Sequence, residues 1–189
     1  MHTIDITSLD SHARRQLAAE LKGAAKAREA VLIRGAAGVW DHEPDASDSA
    51  ADYHALALAV VGHPAPVALS VRGAVNGFGM ALVAAADMVI ASEDATFATG
   101  DGGAALLTGA YRLLESVVSR SFAASLAYTG RTLSRADAVA VGLVVDAPSD
   151  ILDTPAAVAV KRAAIADVVA GLTQSLAYDG MLARTVRPF

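Results

Sequence analysis

The amino-acid sequence predicts an α/β fold with largely parallel strands. Three observations carry that expectation. Short apolar runs at residues 30–33, 67–71 and 88–91 have strand length and little alternation, as strands buried on both faces do. Segments with helical spacing lie between them, and glycine-rich turns divide the two kinds of element.

The elements follow in order. Residues 3–7 alternate apolar and polar and form a short strand. Asp10 or Ser11 caps the next helix, whose apolar face is Ala13, Leu17, Leu21 and Ala24. Arg14 and Arg15 are assigned to its surface, although both could reach a phosphate. Residues 30–33 form a strand closed by Arg34 and Gly35. Residues 36–49 are polar and turn-rich, and are read as a loop carrying the single Trp, Trp40, with His42 and Glu43. A helix runs to Val61, where Gly62 and Pro64 stop it. His54 is placed on that helix's surface and His63 in the turn before Pro64. After strand 67–71, Gly73, Gly77 and Gly79 crowd a turn into a short helix at 80–86. Strand 88–91 leads through Ser92, Glu93 and Asp94 to Thr96 and Phe97. Residues 100–103 are a tight loop, and 106–128 are helical. Ser134 and Asp137 make a capping box for a helix ended by Gly142. Residues 143–145 form a strand. Thr154 and Pro155 open a last long helix, with Pro where its missing N–H costs nothing, and 179–189 form a tail.

Composition narrows the function. The chain has 189 residues, 54% hydrophobic and 5% aromatic, with net charge −5 and no Cys. That length suits one domain with a core of Ala, Val and Leu. The negative balance leaves nucleic acid without an electrostatic footprint. Lack of Cys excludes disulfides, thiolate metal sites and a Cys nucleophile. Mean hydropathy is positive. Even so, the longest apolar stretches, 55–61 and 79–90, fall short of the roughly 20 residues of a spanning helix. No membrane partner is expected. The N-terminus lacks the basic-then-apolar form of a signal peptide, so the expected location is the cytoplasm. A serine hydrolase elbow is missing, the Gly77 and Gly79 turn has Leu82 where a dinucleotide fingerprint needs a third Gly, and the five His residues show no metal-ligand spacing.

Three segments in order resemble the crotonase (enoyl-CoA hydratase/isomerase) family. The first is Pro66-Val-Ala-Leu-Ser-Val-Arg-Gly-Ala-Val-Asn76-Gly77, followed by a short helix and Ala86-Asp87-Met-Val-Ile-Ala-Ser92. The second is Ala95-Thr96-Phe97. The third is Leu126-Ala-Tyr-Thr129-Gly130-Arg-Thr-Leu-Ser134-Arg-Ala136, ending in Ala140-Val-Gly142-Leu143-Val144. Together they cover most of residues 66–146, and the third is the most specific.

The resemblance implies a crotonase-like (ClpP/crotonase) spiral of ββα units over residues 1–146. Residues 147–189 then supply a C-terminal helix and tail facing an oligomer, a homotrimer or hexamer. It implies an acyl-CoA or carrier-bound thioester as partner, with coenzyme A as part of the substrate and no separate cofactor. It also implies an oxyanion hole, in which preorganised N–H groups hold a thioester carbonyl as it becomes an enolate. Gly77, Phe78 and Gly79 at the mouth of the 80–86 helix would supply one donor, with Gly102 completing the binding set.

The departures are as informative. Between Asn76 and Asp87 the chain is about one helical turn shorter than the family pattern. Ala81 occupies one family acid position, and Asp101 the other, one methylene short of Glu. Register from Trp40 matches Asp45 to a family Asp and puts Pro44, which has no N–H, at the first donor position. His42 is a candidate base or substitute donor. The expected catalytic set is therefore Asp101 and His42, and the expected reaction is isomerisation, hydration or decarboxylation. A non-catalytic binding or structural subunit, and a repurposed enzyme of specialised metabolism, stand as alternatives.

Overall fold

The computed structural model describes residues 1–44, 48–146 and 154–186, without the side chains of 166, 167 and 183–186. Two sheets of four strands form its centre. β1 (His2–Ile6), β2 (Val31–Gly35), β4 (Val67–Val71) and β6 (Met88–Ala91) pair in that order, all parallel. β3 (Asp41–His42), β5 (Ala74–Gly77), β7 (Thr96–Phe97) and β8 (Leu133–Ser134) make the second sheet, antiparallel only between β7 and β8.

The chain order shows how these sheets are built. β2 and β3 precede α2 (Ala50–Val61), β4 and β5 precede α3 (Phe78–Ala85), and β6 and β7 precede α4 (Gly102–Leu107). Each turn gives one strand to each sheet and then a helix, which is the expected ββα spiral. β4 is buried along almost its whole length, and α3 is buried at every residue. An eight-residue helix with no polar face can exist only inside such a spiral, covered on all sides.

The helical wrapping follows from local signals. Asp10 caps α1 (Ser11–Ala27), accepting from the N–H groups of His12 and Ala13 at 2.9 Å. Ser134 and Asp137 form the expected capping box of α7 (Arg135–Ala140). The expected helix at 106–128 is broken into α4, α5 (Ala110–Val117) and α6 (Arg120–Thr129). Gly109 causes the first break: it takes a positive φ of 77° and lies against His54 and Leu176, leaving no room for a side chain. Ser119 causes the second by capping α6.

Several expectations are corrected. The loop at 36–49 contains β3, because buried Trp40 seats on Gly35 and aligns the next two residues with β5. The glycine turn after β4 is itself strand β5. Residues 143–145 form no strand, since the N–H groups of Leu143 and Val144 bond back to Ala138 of α7. The last helix, α8 (Pro155–Val186), runs through most of the expected tail. There Asp179, almost fully buried, pairs with Arg112, and Gly180 packs on Ala50 and His54. The boundary at 146/147 adjoins residues outside those described.

His54 is buried rather than on the helix surface. His54 and His63 each bury an Nε2 with no hydrogen-bond partner among the described residues. Burial is the leading cause that pushes His42, His54 and His63 below the ordinary histidine value of 6.5. Below that value the unfolded chain takes up protons that the folded chain refuses, so stability present above 6.5 is lost as pH falls toward the depressed values. Thermal melts between about pH 8 and about pH 5 should show a falling Tm, with a shallower fall in His54→Gln. A Tm that stays level through this range would contradict it.

Candidate active site

The site is organised by β3. Trp40 anchors the strand: its indole is buried and donates from Nε1 to the Gly35 carbonyl at 3.4 Å. The Trp40 carbonyl then accepts from Asn76 N–H at 3.0 Å, and β3 pairs with the end of β5. His42 and Glu43 follow directly and are held by different parts of the fold.

Glu43 turns toward β5 and the loop after β7. Asn76 Nδ2 donates to its Oε1 at 2.5 Å. Both carboxylate oxygens lie over Gly100, about where a side chain there would begin. Asp101 is the next residue. Glu43 is an exposed residue, yet partial desolvation raises its carboxyl above the usual value; the Asn76 bond opposes this, and the nearby charges of Asp101 and Asp41 reinforce it. Asp101 is exposed and also caps α4, accepting from Ala104 N–H at 2.7 Å. Gly102, exposed, is the first residue of that helix. Ala81 is fully buried in α3, and Glu43 and Asp101 bring carboxylates to this region from neighbouring loops.

His42 turns toward α1 and α2. Its Nε2 lies 3.1 Å from Arg14 Nη1 and 3.1 Å from the Tyr53 hydroxyl. Arg14 also donates to the Leu9 carbonyl and to Asp48 Oδ1, both at 2.8 Å, and Tyr53 donates its hydroxyl proton to Asp48 Oδ2. Arg14 is therefore no surface residue: it is 2% exposed and its guanidinium stacks 4.2 Å from the Tyr53 ring centroid. Tyr53 in turn tilts against Phe78, centroids 4.6 Å apart. The Phe78 side chain thus belongs to the core, while its backbone opens α3. Burial, then the Arg14 charge, lowers His42.

Gly77 and Gly79 are both buried. Gly77 adopts a positive φ of 52°. A β-carbon at Gly77 would strike the His42 carbonyl, and one at Gly79 would strike the Trp40 carbonyl. Glycine at these positions lets α3 close onto the backbone of β3. α3 has no side-chain cap, so its first N–H groups lack one source of satisfaction. Asp45 lies outside the described residues. Among the described residues no three His, Asp or Glu side chains group as metal ligands, and no helix is long and apolar enough to cross a membrane.

The structure thus brings Glu43, Asn76, Gly100 and Asp101 together, with Gly77 to Gly79 alongside through β3, while the Nε2 edge of His42 faces a separate network with Arg14 and Tyr53. Sequence reasoning placed Glu43 beside His42 without a role. Its signal, a Glu after a Trp-anchored strand, gains meaning only through Asn76, 33 residues away.

A ββα spiral with helices packed around two four-stranded sheets defines a crotonase-type fold. The family model described as enoyl-CoA hydratase/isomerase matches residues 38–183. The chain therefore belongs to the enoyl-CoA hydratase/isomerase family. It is similar to YngF of Bacillus subtilis, named as an enoyl-CoA hydratase/isomerase, at 34% identity over 93 residues. That match covers 47% of this chain and 36% of the relative. It is also similar to a Rhodobacter capsulatus protein named as an enoyl-CoA hydratase, 27% identical, covering 77% of this chain and 62% of the other. The chain thus spans less than two thirds of either relative. Among solved structures, an enoyl-CoA hydratase from Mycobacterium avium subsp. paratuberculosis K-10 superposes with TM-score 0.77 at 24% identity, covering 98% of this chain and 88% of that one. ThnE from S. clavuligerus gives 0.74 at 18%, covering 93% and 95%. These two likenesses establish the fold.

Proposed function

We propose that this protein acts on an acyl-CoA or carrier-bound thioester through an enolate, moving one proton within the acyl chain. The observation that carries this reading is the Glu43 carboxyl, exposed at its edge but held by Asn76 and set beside Asp101, with partial desolvation raising it. A raised carboxyl is a stronger base than a solvated Glu, so it suits removal of a proton next to the thioester carbonyl. Backbone N–H groups of Phe78 and Gly79, at the mouth of α3, are the candidates to hold the developing oxyanion. Asp101, at the family's other acid position, is the second proton carrier, and Glu43 takes over from the acid lost where Ala81 stands. Isomerisation or decarboxylation needs less of this set than hydration does. A homotrimer or hexamer is the assembly we propose.

A second reading, a thioester-binding subunit without turnover, is favoured by one observation: α3 packs directly on the β3 backbone through Gly77 and Gly79, which narrows the space between the two loops.

Assays with crotonyl-, 3-enoyl- and malonyl-type thioesters separate the readings. Glu43→Gln is expected to lose about 100-fold or more in kcat. Asp101→Asn keeps the α4 cap and is expected to lose activity without unfolding. Turnover unchanged in Glu43→Gln removes Glu43 from the mechanism. Calorimetric binding without turnover in the parent supports the second reading, and no binding at all removes the thioester.

A further inference from the structure

His42 sits in a polar network that the proton-transfer scheme does not use, and the network dictates the chemistry of its ring. A guanidinium has only donors. Arg14 Nη1 spends one N–H on the Leu9 carbonyl and directs the other at His42 Nε2, 3.1 Å away. The Tyr53 hydroxyl, also 3.1 Å from Nε2, has given its proton to Asp48. Nε2 therefore faces a donor it must accept from. A proton on Nε2 would point an N–H at an N–H beside a buried cation. The ring is left with its one remaining proton on Nδ1. No described residue engages Nδ1, and the residue is partly exposed.

We propose that Arg14 locks His42 as the neutral Nδ1–H tautomer, so that His42 serves as a hydrogen-bond donor to a carbonyl oxygen of the ligand and not as a base through Nε2. The identity of that acceptor rests on the thioester reading; the tautomer does not. The donor stands in the same loop as Pro44, which has no N–H to offer. Arg14 is a positioning residue and acts through His42. Its own hold is over-determined by Leu9, Asp48 and the Tyr53 ring. The groups facing the imidazole are Arg14 and Asp10 from the α1 end, Tyr53 from α2, and Asp48. The depressed basicity of His42, caused first by burial and then by Arg14, agrees with the neutral ring.

Nitrogen NMR on protein carrying labelled histidine tests the lock, with the His42 signals identified by their loss in His42→Asn. The expected result near pH 7.5 is a proton on Nδ1 and a bare Nε2, kept in Arg14→Lys and lost to a mixture in Arg14→Gln. A parent protein with its proton on Nε2 overturns the proposal. So does an Arg14→Gln protein with an unchanged tautomer. Calorimetry tests the donor role, because an Asn amide overlays the Nδ1 position and a Gln amide the Nε2 position. His42→Asn should hold a crotonyl thioester within about threefold of the parent, and His42→Gln should weaken it about tenfold, one lost hydrogen bond. The reverse order overturns the donor role. A parent that binds no thioester overturns the assigned acceptor, and the tautomer result then separates that failure from failure of the lock. If Arg14→Gln does not fold, the parent and Arg14→Lys spectra still decide.

Discussion

Gly79→Ala is expected to cost at least about 3 kcal/mol and to leave little folded protein. A β-carbon at this position would overlap the Trp40 carbonyl. Neither side can yield cheaply. Trp40 is fully buried, its carbonyl is bonded to Asn76 N–H, and α3 is buried at every residue. Overpacking is tolerated where a flexible side chain can swing away, and here the obstacle is backbone on both sides. Gly102→Ala is the control: a β-carbon there meets no atom closer than the Ala127 carbonyl at 3.6 Å. Urea denaturation of the two variants checks the contrast. A Gly79→Ala protein as stable as Gly102→Ala would mean that β3 is not seated on α3 as described.

Asp87→Ala is expected to cost about 1 to 3 kcal/mol, because it removes the exposed partner of a part-buried ion pair and strands the buried one. Asp87 Oδ1 accepts from Lys161 Nζ at 2.6 Å, and Oδ2 accepts from the Val67 N–H at 2.8 Å. Lys161 is 8% exposed, so removing Asp87 strands an ammonium under α8 and a backbone donor at the start of β4. The pair borders a cavity of about 190 Å³ between the end of α3 and α8, lined also by Ala85, Ile165 and Leu172. Lys161→Met in the same chain should recover much of the loss, because an apolar side chain can fill that space without a partner. Denaturation, with hydrogen exchange along α8, measures both effects. A loss below about 1 kcal/mol would mark the pair as an ordinary exposed one.

The spiral was legible because its signals are local. The runs that became β4 and β6, the helical spacing that became α5 and α6, and the capping box of Ser134 and Asp137 all depend on residues close in sequence. What escaped was set by contacts across the fold. β3 is two residues long, too short for any periodicity, and exists because Trp40 finds Gly35 and Asp41 finds Asn76. Residues 143–145 have strand composition, yet α7 claims the N–H groups of Leu143 and Val144, and only Val145 reaches the sheet, through a single bond to Val89 of β6. Arg14 carries a charge on a helix whose apolar face is well marked. It is buried only because Asp48 and Tyr53 close over it. Glu43 became a site residue in the same way, through Asn76 and Gly100. Gly77 and Gly79 were recognisable as positions of close approach, but what approaches them, a strand backbone, was not written nearby.

Strand β3 also bears on the order in which this molecule comes together. His42 in β3 and Glu43 just after it are fastened by partners 28 and 33 residues distant, and Arg14 reaches Asp48 across 34. Contacts at such separation close late, after the helices that need only neighbours. During refolding, helical circular dichroism should therefore recover first, and the constellation around His42 and Glu43 should be among the last parts of the chain to take shape.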